Sequence, residues 1–205
     1  MPALEPAKLI AFHDRCHGIA GWAKGGAKEF PDGLWNAVED NHRHNCLLWD
    51  EEDLARRRNV ADAEIAANKR AIDGYNQKRN DAIERIDEQL SVLLSIAENA
   101  KLNSETPGAM TDRLSILSLK IHHMRLQTLR ADVDRAHVEN CVAKLNRLNE
   151  QRTDLAACLE QLLAGCASGA SRFKVYRQFK MYNDPALNPA IYNETRSDKS
   201  SPTRS

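Results

Sequence analysis

"NSETPGAM", residues 103–110, is the sharpest punctuation in the chain, and its reading decides the fold. Thr106 is an N-cap residue type, Pro107 suits a first helical position, and Glu105 and Asp112 sit near the positive end of the helix dipole. Upstream, apolar residues keep helical spacing from about Leu34 to Arg57, "RNVAD" (58–62) turns the chain, and Asp62 caps a second helix to about Ala100. Gly74 costs this long helix a little without breaking it. Downstream, a third helix reaches about Arg130, and after "ADVD" (131–134) a fourth runs from about Arg135 to Ala164. The Gly- and Ser-rich "GCASGAS" (165–171) ends it.

Two αα-hairpins follow, 34–100 and 105–166, and short turns predict an all-α antiparallel four-helix bundle. A short helix over 5–20 and a Gly-rich loop (21–33) precede it. A strap over 172–192 completes a single domain of residues 1–192, and 193–205 read as a disordered tail.

A chain of 205 residues suits one domain with a real core. Lys plus Arg and Asp plus Glu number 29 each, so no net charge draws it to nucleic acid or a membrane surface. No apolar run approaches the ~18–20 residues that span a bilayer, and the N-terminus lacks a signal peptide's basic flank and apolar stretch. The five cysteines show no C-x-x-C spacing and read as reduced thiols. A cytoplasmic protein is expected.

Sliding one hairpin on the other by 73 positions gives 7 identities in 34 ungapped positions. They cluster on "NQKRND" (76–81) and "NEQRTD" (149–154), which is consistent with an internal duplication. Each motif puts an arginine on its helix's apolar line: Ile65, Ile72, Arg79, Ile86 and Leu93 in one, Val138, Leu145, Arg152, Leu159 and Cys166 in the other. A buried guanidinium cannot shed its proton, so carboxylates or a bound anion must meet it. Asn76, Arg79, Asn149, Arg152, Asp112, Arg113 and Lys120 are therefore candidate ligand-binding residues. The alternative is closed Arg–carboxylate ties that only set helix register.

Acids on the first two long helices, Glu52, Asp53 and Asp81, are candidate magnesium ligands, although the E-x-x-E half of the helical pyrophosphohydrolase pattern is missing. His122 and His123 are adjacent, about 100° apart on a helix, so only one can serve a site as acid or base. His13 and His17 stand one turn apart, a metal-binding spacing without an evident third ligand. In the strap, Arg172, Lys174, Arg177 and Lys180 interleave with Phe173, Tyr176, Phe179 and Tyr182. Tyr176 and Lys180 are candidates to close a pocket over phosphate or sugar.

The blocks "LLWDEEDLAR" (47–56), "KRAIDGYNQKRNDAIERID" (69–87), "ETPGAMTDRLSILSLKIHHM" (105–124) and "VYRQFKMYNDPALNP" (175–189) resemble the bacterial domain-of-unknown-function family 4254. Asp50 stands where members often carry His. The resemblance implies a helical protein serving lipopolysaccharide or other surface-glycan biosynthesis, whose family members are often encoded beside glycosyltransferases. The expected partner is a sugar phosphate, a nucleotide sugar or a glycosyltransferase. The enzymatic alternative is a metal-assisted hydrolase or transferase acting on a phosphorylated sugar or nucleotide.

Overall fold

The computed structural model describes residues 4–94, 96–178, 181 and 184–193. The chain is all-α: α1 (Pro6–His17), a 3-10 turn (Trp22–Lys24), α2 (Gly33–Leu54), α3 (Asp62–Leu93), α4 (Pro107–Thr128) and α5 (Arg135–Ala167). It divides into two compact units, Met1–Val175 and Tyr176–Ser205. In the second unit, residues 189–193 form a last helical turn, with Asn188 Oδ1 accepting from Ala190 N–H at 3.0 Å. Phe179, Lys180 and Tyr182 of the strap, and the tail from residue 194, lie outside the described residues.

In the first unit α2 packs on α3 and α4 on α5, while α4 also meets α1, α2 and α3. The apolar stripes read from sequence turn inward, with Ile72, Ile86, Leu155, Leu159 and Cys166 buried. All but Ile72 join Phe12, Val38, Leu90 and Leu114 in one core. Burying such side chains contributes roughly 1.5–3 kcal/mol each. Four residues of the two lines depart from expectation: Leu93, at the end of α3, is exposed, and Ile65, Val138 and Leu145 are only half-buried.

Helix ends follow local chemistry. Thr106 caps α4 as expected, its Oγ1 accepting from Ala109 N–H at 3.2 Å, with Pro107 at the first position. Ala61, not Asp62, takes the cap position of α3, and Asp62 moves into the first turn, where its charge meets the dipole. α3 also stops at Leu93 rather than about Ala100. Beyond it, Lys101–Leu102 (β1) pairs in parallel with Ser171–Arg172 (β2), tying the connection between the hairpins to the segment after α5. Helical propensity there loses to tertiary hydrogen bonds such as Asn103 N–H to Arg172 O at 2.7 Å.

Gly108 sets the approach of α4 to α3. A Cβ there would lie 2.5 Å from Ile83 O and 2.8 Å from Asp87 Cγ. The open side lets Gly108 N–H reach buried Asp87 Oδ1 at 2.6 Å, so α3 supplies a carboxyl to the start of α4. Gly108→Ala is expected to destabilise the fold by about 1–3 kcal/mol, the usual cost of overpacking. Urea denaturation measures this, and an unchanged midpoint would refute the close approach.

Candidate functional site

Helix α2 runs through the unit with polar side chains buried on several faces: Asn36, Glu39, Asp40, Asn41, His42 and Asn45. Groups removed from water must find partners or cost free energy. Toward the loop, Glu39 pairs with Arg43 at 2.8 Å and accepts Phe30 N–H at 3.0 Å. Arg43 lies 4.6 Å from the Trp22 ring and donates to Trp22 O at 2.7 Å, fastening the glycine-rich loop to α2. Toward α3, Asp40 lies between Lys28 (2.7 Å) and Arg85 (2.8 Å). Those two cations outweigh its burial and hold its carboxyl below the usual range.

The remaining polar face of α2 meets α4. Asn41 and Asn45 donate to Asp112 Oδ1 at 2.8 and 2.9 Å, and Asn45 also donates to Ser115 Oγ at 3.0 Å. Arg79 Nε approaches the same Asp112 oxygen at 3.8 Å, an ion pair without a hydrogen bond. Arg152 is closed instead: its Nη1 reaches both oxygens of Asp14 on α1, at 2.8 and 2.9 Å. Asn149 Oδ1 takes its other end at 3.5 Å. The two arginines expected in one charged layer are thus answered by different carboxylates from different helices. Asp14 was outside the sequence reading because it sits on α1, apart from both hairpins.

The other expected residues separate in the same way. Lys120 lines an open cavity of about 500 Å³, with Trp49, His123, Met124, Lys144 and Leu148. Asn76, Arg79, Glu52 and Asp53 line a second cavity of about 380 Å³, and Trp49 and Asp53 belong to both. Arg113 is exposed and held by Glu105 at 2.7 and 2.9 Å, away from these cavities. The expected magnesium trio does not converge. Asp81, two residues beyond Arg79 and so about 200° around the helix, is exposed and accepts from Gln77 at 2.7 Å. Glu52 is paired with Arg56 at 2.7 Å. Tyr176 belongs to the second unit.

Between α1, α2 and α4 lies a histidine cluster that sequence reasoning only touched. His13 stacks on His42 with ring centroids 4.3 Å apart, and His17 stacks on His122 at 4.8 Å. His123 lies nearly flat on Trp49 at 4.5 Å. His42 Nδ1 bonds Ser115 Oγ at 2.8 Å, and His17 Nε2 bonds Ser118 Oγ at 3.1 Å. Among the described residues, one group of possible metal donors converges: His17, His42 and Cys46, with ligand atoms within 4.8 Å of one another. The sequence carried a signal for this face. Thr111, Ser115, Ser118 and His122 recur on α4 at i, i+4, i+7 and i+11, a polar stripe facing inward.

Burial governs the protonation of this cluster. It lowers His13 to about 3, with the neighbouring His17 and Arg152 adding to the effect. Burial and then His122 lower His17 to about 4, and His42 is also held well below its ordinary value. Burial raises the Cys46 thiol to about 12.

A model of the family described as "Protein of unknown function (DUF4254)" matches residues 35–175, more than half of the 205-residue chain, so the chain belongs to that family. No curated protein and no solved structure matches it.

The lowered histidines make the fold acid-sensitive. Unfolded histidines titrate near 6.5, so as pH falls below that value the unfolded chain takes up protons that folded His13 refuses down to about 3. The contribution of His13 to stability is full above pH 6.5 and is lost as pH drops toward about 3. In metal-free buffer, His13→Leu should make that decline shallower by about 1.4 kcal/mol per pH unit. Chemical denaturation at several pH values reads the slope, and equal slopes in parent and variant would refute it.

Proposed function

We propose that this DUF4254 family member is a cytoplasmic protein that holds a small anionic ligand, a sugar phosphate or nucleotide sugar, in the cavities on either side of Trp49. One observation carries the reading: Arg79 Nε and Trp49 Nε1 are both buried without a hydrogen-bond partner, and both residues line the 380 Å³ cavity. Two orphaned donors on residues that line one cavity favour an acceptor oxygen from a ligand, because an unmade buried hydrogen bond costs about 1–3 kcal/mol. Across Trp49, Lys120 and Lys144 bring positive charge to a cavity walled by His123, Met124 and Leu148. Charged donors beside an aromatic and apolar wall suit a phosphorylated sugar, with the Glu52 and Asp53 carboxylates available to sugar hydroxyls.

The reading includes the finer architecture, an antiparallel four-helix bundle that arose by duplication. In it the two Asn–Arg motifs diverged: Arg152 was tied off by Asp14, while Arg79 kept donors for a ligand. Service to lipopolysaccharide or other surface-glycan biosynthesis rests on the family resemblance, and a glycosyltransferase is the protein partner it implies.

Thermal melting with inorganic phosphate, hexose phosphates and nucleoside-diphosphate sugars tests the proposal. A bound member of the panel at 100 times its Kd should stabilise the chain by about 2.7 kcal/mol. Arg79→Met should weaken that ligand roughly tenfold or more, the loss of a charged hydrogen bond. No shift with any compound, or the same shift in the variant, would overturn the small-ligand reading.

A further inference from the structure

We propose that His17, His42 and Cys46 form a binding site for a zinc-class transition-metal ion, reached from the cleft between α1, α2 and α4. The donors come from separate elements: His17 ends α1, while His42 and Cys46 stand one turn apart on α2. His42 Nε2 already faces Cys46 Sγ at 3.9 Å, and all three donor atoms fall within 4.8 Å. A tetrahedral zinc with bonds of about 2.0–2.3 Å holds its ligand atoms roughly 3.3–3.6 Å apart, so modest side-chain rotation closes the set. Two imidazoles and a sulfur select zinc, cobalt or nickel over magnesium or calcium.

The partners of the two imidazoles are those of ligating histidines. Ser118 has one hydroxyl proton and gives it to Asp14 Oδ1 at 2.8 Å, so it must accept from His17 Nε2–H at 3.1 Å. That fixes the tautomer and leaves the lone pair of His17 on Nδ1. Arg152 holds Asp14 in place, so the chain Arg152–Asp14–Ser118–His17 orients the ring from behind. On the second imidazole, Ser115 engages Nδ1 and leaves Nε2 toward Cys46. Hydrogen-bonded second partners of this kind orient and strengthen metal ligands.

A surface cleft gives access to the donors His17 and Cys46. A cleft of about 230 Å³ is lined by His17, Cys46, Trp22, Lys24, His122 and His123. With three protein donors and an open side, the site has the form that leaves a coordination position for water or substrate. On binding, the Cys46 S–H bond breaks and its proton passes to solvent as the sulfur–metal bond forms. Both imidazoles bind neutral, and no redox change is involved.

None of the three donors lines an anion cavity, although the cleft shares His123 with the larger one, and the test needs only the metal. Cobalt(II) added to the full chain should bind at one equivalent with a thiolate-to-cobalt charge-transfer band, and zinc should displace it. Cys46→Ser should lose the band, whereas Cys158→Ser, at an exposed cysteine, should keep it. Ser118→Ala, which removes a second partner, should weaken binding about 10–100-fold. His17→Gln, with its side chain at the cleft, is the variant to use if Cys46→Ser does not fold, and it should weaken binding further. A parent without the band, or a band that survives both Cys46→Ser and His17→Gln, would overturn the proposal.

Discussion

A single buried oxygen, Asp112 Oδ1, organises the polar interior of this protein. It accepts from Asn41 and Asn45 of α2 while Arg79 of α3 stands 3.8 Å away. Those contacts fix α4 against both helices of the first hairpin. Removing one partner would leave the others uncompensated in a poorly solvated place, which is why such a knot specifies register more strongly than apolar contacts do. The same demand spreads outward, since Asn45 also serves Ser115, and Ser115 serves His42.

The second knot, Arg152 with Asp14 and Ser118, does for α1 and α5 what Asp112 does for α2 and α3. Together they make α1 a wall of the polar interior, carrying His13 and His17 inward and holding the exposed Asp14 at its edge. The apolar core from Phe12 to Leu163 secures this arrangement at one end of the helices, and its non-directional packing could not alone select which polar atoms meet. Division of labour follows: apolar burial supplies most of the stability, and hydrogen-bonded carboxylates choose the geometry.

The four long helices were legible because each carries a 3.6-residue apolar stripe and ends at capping or breaking residues, as at Thr106 and in the run after Ala164. The end of α3 was not legible, since the residues beyond Leu93 read on as helix until β1 pairs with β2. Arg79 and Arg152 were identified as inward polar positions because they interrupt apolar lines. Their partners were hidden, because Asp14 lies 138 positions from Arg152 in sequence. Asp81, singled out in the repeated motif, and Arg113, beside Asp112, proved to be exposed and held by local partners.

What the sequence by itself determined is the set of helices, their hairpin order and the presence of charge on two apolar faces. These follow from local propensity, capping and periodicity, which act over a few residues. Only the tertiary structure decided which arginine is tied off and which lines a cavity, and that His17, His42 and Cys46 come together. Such meetings depend on the rotation and offset of helices far apart in the chain. Those are set by the summed packing of the whole unit, which no local stretch encodes.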